Sequence, residues 1–173
     1  MTATKDFRSY AFSYERIRAC GKYLSKNCYW KLFAIENTIR IIIHSILSVQ
    51  WTETPDWWQA LAGEAKKTAE RNMKKYLKPE TRIFSSPGKH PLYFIYINDL
   101  NEIIRANSPY FEQVIPRLDK LILDIETLVV PRNIVAHMNY PNKNDQNRID
   151  VFYNDLQITL DIIKERGIDF KIP

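Results

Sequence analysis

Residues 27–49 read NCYWKLFAIENTIRIIIHSILSV, and the fold class turns on this stretch. Trp30, Phe33, Ala34, Asn37, Ile41 and Leu47 recur through it at helical spacing, the pattern of a helix with one apolar face. Asn27 offers a side-chain oxygen suited to capping the helix start. Ile41, Ile42 and Ile43 favour a strand locally, because branching at Cβ restricts χ1 in a helix. Length and flanking periodicity outweigh that propensity, so the stretch is read as one long central helix. Its most apolar part, Ile39 to Val49, is too short for a membrane span and holds Arg40 and His44.

Composition agrees with a helical chain. The 173 residues suit one domain of ordinary size, read as 1–173 with its core between about 28 and 166. A chain of this length buries about 70% of its unfolded surface and needs no staples. With 45% hydrophobic and 26% charged residues it is neither disordered nor fibrous, and 4 Gly against 9 Pro argue against a turn-rich sandwich or barrel. The net charge of +5 favours an anionic partner such as nucleic acid without singling it out. Cys20 and Cys28 lack other ligands at metal spacing and read as reduced packing residues. The polar start Met1 to Asp6 has no signal-peptide core, so a cytoplasmic protein without membrane attachment is expected.

The flanking segments continue the helical pattern. Tyr10 to about Leu24 predicts a short first helix with Phe12, Ile17, Cys20 and Leu24 inside. Thr54 and Pro55 suit the cap and first residue of a third helix through Trp57, Trp58, Leu61, Ala65, Ala69 and Met73. Adjacent helical positions point apart, so one of Trp57 and Trp58 should be partly exposed, for a partner or a stacked base. The cations of this helix, Lys66, Lys67, Arg71, Lys74, Lys75 and Lys78, are either a solvated face or a track for RNA phosphates. Pro79, Ser85, Ser86, Pro87, Gly88 and Pro91 mark an extended loop in which His90 should face solvent. Leu92 to Ile97 is briefly strand-like, and Asn98 to Arg105 is helical. Ser108-Pro109 opens a helix with Phe111, Ile115, Leu118, Ile122, Ile125 and Leu128 on one face, kinked or restarted at Pro116. Pro131 should begin a new turn carrying Arg132 to Met138. A last helix from about Asn147 to Arg166 turns Ile149, Phe152, Leu156, Leu160 and Ile163 inward and stops at Gly167.

Several chemistries are excluded by missing signals. No glycine-rich phosphate loop, zinc-binding Cys pairs, His-Glu-x-x-His or Gly-x-Ser-x-Gly elbow is present, so no cofactor or metal is expected. What remains is Arg132-Asn133-Ile134-Val135-Ala136-His137. An arginine can hold a phosphate bidentately and a histidine can move a proton near neutral pH, the two needs of RNA backbone cleavage. On an ideal helix these residues point about 140° apart, so they need an irregular turn or a second subunit. Glu36, Arg40 and His44 follow at i, i+4, i+8, where Glu36 and Arg40 can form an ion pair. His44 reads as a satisfied core or interface histidine.

An Arg-Asn-x-x-x-His segment late in a small all-helical chain resembles the hallmark of the HEPN superfamily. Glu36-Asn37-Thr38-Ile39-Arg40 resembles a second family feature, an acidic residue followed by a basic one in an early helix. The resemblance extends over Cys28 to Arg166. It implies an all-α, HEPN-like helical bundle that dimerises through the Arg/His region, and a metal-independent endoribonuclease acting as a toxin or antiviral-defence effector of a prokaryote. By the same resemblance, Arg132 stabilises the transition state, His137 moves a proton, Asn133 orients the site, and Glu36 and Arg40 support it or bind RNA. The implied partners are RNA (tRNA, rRNA or mRNA), a second copy of the chain, and an antitoxin or defence component. The alternative is a catalytically inactive HEPN-like module binding RNA or protein; a DNA-binding helical protein ranks below both, because no helix-turn-helix stands out.

Overall fold

The computed structural model describes residues 6–51, 56–81 and 83–173. Among these residues it is all α-helical, with no strand. The helices are α1 (Tyr14–Leu24), α2 (Trp30–Gln50), α3 (Trp57–Ala60), α4 (Glu64–Tyr76), α5 (Ile97–Ala106), α6 (Ser108–Glu112), α7 (Leu118–Ala136) and α8 (Lys143–Glu165). The stretch read as briefly strand-like, from Leu92, instead belongs to a tight 3-10 turn, Pro91–Phe94.

Helices α1 and α2 are one continuous rod. A wider, π-type turn at Ser25–Tyr29 joins them, so Asn27 lies inside the rod and caps nothing; its Nδ2 donates to the Tyr23 carbonyl at 2.8 Å. The rod contains a window apolar and long enough to cross a membrane, but half of that window is buried inside the bundle. The buried face of α2 is Leu32, Ile35, Ile39, Ile42, Ile43, Ile46 and Leu47, which keeps a stricter three-four spacing than the stripe expected from the aromatics. Burying each such side chain contributes about 2 kcal/mol. Trp30 and Phe33 are exposed, and Ala34, Asn37 and Ile41 are half-buried. Ser13 caps α1, with its hydroxyl accepting from the Arg16 amide, so Tyr10 to Phe12 precede the helix. Phe12 is 87% exposed and Ile17 is exposed as well, because α1 meets the bundle only toward its C-terminal end, where Cys20 is buried.

The third helix is broken in two. Asp56 caps α3 through its Oδ1 and the Trp58 amide, the chain extends at Leu61, and Gly63 at φ 114° leads into α4. Thr54 and Pro55, the expected cap and first residue, lie outside the described residues. Contrary to expectation, Trp57 and Trp58 are both buried, at 3% and 5% exposure. A single turn can be wrapped from several sides. Trp57 Nε1 donates to His44 Nδ1 at 3.0 Å, Trp57 stacks on the His90 ring, and Trp58 meets that ring edge-on. His44 is thus a satisfied histidine, while His90 is not solvent-facing; its side chain is 12% exposed.

The C-terminal half follows the sequence more closely. Phe111, Ile115, Leu118, Ile122, Ile125 and Leu128 are all buried, and the chain restarts as α7 two residues after Pro116. Pro131 begins no new turn: it is buried inside α7, which continues to Ala136. Asn142 and Asp145 form a reciprocal cap that starts α8 earlier than expected, at Lys143. Ile149, Phe152, Leu156 and Ile163 are buried with Leu160 partly so. Gly167, at φ 75°, ends α8, where its amide donates to Lys164 and that of Ile168 to Ile163. Helix α7 packs on α8 and α5, α2 packs on the same pair, and α4 packs on the Pro91–Phe94 turn and α5. With α5 and α8 as shared neighbours, the Arg132 side chain near the end of α7 reaches Glu36 in the middle of α2.

The buried histidine predicts a fold that loses stability in acid. His90 Nδ1 accepts from the Leu92 amide at 3.2 Å, which puts the proton on Nε2; that atom is buried without a hydrogen-bond partner, with Asp56 Oδ1 4.0 Å away. Burial, reinforced by the neighbouring His44 and opposed by Asp56, holds His90 down at about 4. An unfolded histidine titrates near 6.5. Below that pH the unfolded chain takes up a proton that the folded chain refuses until about pH 4. Stability is full above about pH 6.5 and should fall by about 3 kcal/mol on the way to pH 4 from this residue alone. Denaturant midpoints measured from neutral to mildly acidic pH check it. His90→Asn, which keeps a cap acceptor, should flatten the fall; an unchanged fall places the acid sensitivity elsewhere.

Candidate active site

Glu36 stands between two arginines. Arg40, one turn further along α2, donates from Nη2 to Glu36 Oε1 at 2.6 Å. Arg132, from α7, donates from Nε to Oε2 at 3.1 Å and from Nη2 to Oε1 at 3.5 Å. The i, i+4 pair expected from spacing is therefore present, and it is also part of the Arg132 surroundings.

The two arginines differ in what they have left to give. Arg40 is buried and four of its five N–H groups are engaged inside the protein: besides Glu36, Nε donates to the Leu92 carbonyl at 3.0 Å, Nη2 to the Ile95 carbonyl at 3.1 Å, and Nη1 to Asn37 Oδ1 at 3.3 Å. Its role is to fasten the 91–95 segment to α2. Arg132 is half-buried. Among the described residues its Nη1 donates to the exposed amide oxygen of Asn133 alone, at 3.3 Å, a partner that a phosphate oxygen can displace. Two arginines against one carboxylate leave the cluster net positive.

Arg132 sits where two cavities meet. One, of about 380 Å³, is lined by Tyr29, Phe33, Arg40, Tyr93 and Met138 besides Arg132. The other, of about 260 Å³, also touches Arg40, Tyr93 and Arg132 and reaches Lys75, Tyr76 and Tyr96. Tyr93 can lie in this wall only because residue 88 is glycine: a Cβ there would come within 2.3 Å of the tyrosine ring.

The remaining motif residues are placed differently. Asn133 is exposed beside Arg132, and His137 is exposed at the C-terminal cap of α7, its amide donating to the Asn133 carbonyl. Beyond it Met138 adopts φ 59°, its amide donates to Val135, and that of Asn139 donates to Ile134. Glycine usually fills this position, and a side chain there costs about 1–2 kcal/mol. Because α7 is regular through Ala136, the irregular turn that could have joined Arg132 to His137 within one chain is absent among the described residues. Thus Glu36, Arg40, Arg132 and Asn133 come together, and His137 lies outside the cavity lining. Sequence reasoning missed Tyr93 and Tyr96 as site residues, for which the aromatic run from Tyr93 to Tyr96 was the available signal, and left Lys75 open between a solvated face and a track for RNA phosphates. Among the described residues no group of three or more His, Cys, Asp or Glu side chains is arranged to hold a metal ion.

Comparison with protein-family models, curated proteins and solved structures finds no match to this chain. The functional reading therefore rests on the geometry above and on the motif resemblance.

Replacing Arg40 by leucine strips partners from the Leu92 and Ile95 carbonyls and from one side of Glu36. Removing one member of a buried pair costs about 3–5 kcal/mol; Arg132 remains on Glu36, so the lower end is expected for Arg40→Leu in denaturant unfolding. A loss under about 1 kcal/mol, the net worth of one ordinary hydrogen bond, would remove Arg40 from its fastening role.

Proposed function

We propose that this chain is a metal-independent endoribonuclease of HEPN type, working in the cytoplasm as a homodimer and serving as a toxin or antiviral-defence effector. The observation that carries this reading is the placement of Arg132: a half-buried guanidinium, fixed by Glu36 and opening onto two cavities. The RNA 2′-hydroxyl attacks the adjacent phosphorus and the 5′-oxygen of the next nucleotide leaves, giving a 2′,3′-cyclic phosphate and a 5′-hydroxyl end. Arg132 stabilises the charge that builds on the phosphoryl oxygens. His137 takes the proton of the attacking hydroxyl or returns one to the leaving oxygen. Asn133 holds the Arg132 guanidinium oriented until the phosphate takes its place.

The homodimer answers the separation of the two residues. A two-fold axis near the end of α7 brings the partner's copy of the motif to face this one, so that a histidine from one copy serves the arginine of the other. Exposed Phe33, Val130 and Met138 supply apolar surface for that contact. The substrates are tRNA, rRNA or mRNA, and an antitoxin or a defence partner controls the activity. The position of His137 outside the cavity favours a second reading, a HEPN-like RNA- or protein-binding module without catalysis.

Incubating wild type and His137→Ala with total tRNA and rRNA in excess EDTA, followed by a denaturing gel, separates the readings. Discrete fragments are expected from wild type, with activity reduced about 100- to 10,000-fold in His137→Ala. Arg132→Lys should restore little of the loss seen in Arg132→Ala, since lysine cannot make the bidentate contact. Intact RNA in every lane, with RNA still retained in a gel shift, selects the binding module.

A further inference from the structure

The cavity on the α4 side of Arg132 is not used by the cleavage step itself. Its wall carries two exposed rings. Tyr76 is held edge-on against Phe94 at 5.6 Å between centroids. Tyr96 is 53% exposed, stands at the N-terminal cap of α5 with its amide bonded to Asp99, and has the Arg132 guanidinium over its ring at 5.8 Å. The Tyr76 ring is backed by Phe94 and the Tyr96 backbone is anchored at the helix cap, while both rings leave surface open on which a flat ligand can stack.

Charge points the same way. Lys75, Arg40 and Arg132 line the cavity against one carboxylate, Glu36, which both arginines already engage. The six cations of the α4 segment also divide. Lys67 pairs with Glu64 and Lys66 donates to the Gln59 carbonyl, whereas Lys75 lines the cavity, and Arg71, Lys74 and Lys78 are exposed on the same segment outside that lining. A ligand that is flat, anionic and continued by further negative charge is a nucleotide within a strand. Stacking needs an open base face, which an A-form duplex does not offer.

We propose that Lys75, Tyr76 and Tyr96 form a subsite for an unpaired nucleotide flanking the one whose phosphate Arg132 holds. This rests on the ribonuclease reading and narrows its substrate to single-stranded or looped RNA. Tyr96 and Tyr76 take the base, Lys75 pairs with its phosphate, and the strand leaves along Lys74, Lys78 and Arg71. These are positioning residues; none acts on the reacting atoms.

The test uses the full chain and a fluorescent 2′-O-methyl oligoadenylate of twelve nucleotides, which lacks the attacking hydroxyl and so stays intact. Anisotropy titrations compare it alone and annealed to its complement. The single strand should bind at least 10-fold more tightly than the duplex. Tyr96→Ala should weaken single-strand binding about 10-fold and Tyr96→Phe should not. Lys75→Ala should lower the slope of log affinity against log salt by about 0.7, the loss of one phosphate contact on a single strand, a change that a merely structural lysine would not produce. If wild type binds and cleaves RNA but these variants match it, the subsite is overturned and the cleavage reading stands. Equal duplex binding overturns the restriction to unpaired bases. If wild type neither binds this strand nor cuts any RNA, both proposals fall.

Discussion

The Arg40 guanidinium is the constraint around which the site is arranged. A cation inside a helical bundle persists only where its donors are satisfied, and here a carboxylate one turn away and two backbone carbonyls meet that need. Those carbonyls belong to Leu92 and Ile95, so satisfying Arg40 also fixes where the 91–96 segment runs. Once that segment is fixed, Tyr93 and Tyr96 occupy their places in the groove wall, α4 has a surface to pack against, and Asn72 closes the contact by donating to the Phe94 carbonyl at 2.7 Å. The second oxygen of Glu36 is left to receive Arg132 from α7. A single buried charge thus aligns three stretches of chain that are far apart in sequence.

This arrangement gives the two motif residues different mechanical status. Arg132 is restrained through Glu36 and stands near the tyrosines of the groove. His137 sits on a helix end followed by a residue in the left-handed region, where the backbone is under some strain and the imidazole is open to solvent. On the proposed reading, an anchored arginine and a separate histidine suit a reaction completed only when a second surface arrives, whether substrate or another copy of the chain.

How far the sequence reaches depends on how local the cause is. Helix α8 and the inward face from Phe111 to Leu128 were legible because i, i+3, i+4 periodicity and a stopping glycine act within one element. Glu36 and Arg40 were legible for the same reason. The face of α2 was misread because Trp30 and Phe33 weighed more than the leaner stripe of Leu32, Ile35, Ile39 and Ile42. His90, Trp57 and Trp58 were misread because what covers them comes from elsewhere in the chain. The partners of Arg40 lie 52 and 55 positions away and that of Arg132 lies 96 away, beyond any periodic signal; the motif resemblance, not spacing, singled out Arg132. Lys75 was legible only as one of six cations and Tyr96 only as part of an aromatic run, since a groove wall is a property of packed elements.

The wide turn at Ser25–Tyr29 takes in one residue more than an α-helical ladder would at that point. Each residue of a helix turns the chain by about 100°. Losing one residue there would leave the core face of α2 untouched while swinging α1, with Tyr14, Arg16, Ile17 and Arg18, about a quarter of the way round the rod. The turn therefore acts as an azimuth setting. Relatives that differ by one residue in this linker would present a different outer surface on the same bundle, so that a change of chain length, with no change of side chains, can redirect what the first helix meets.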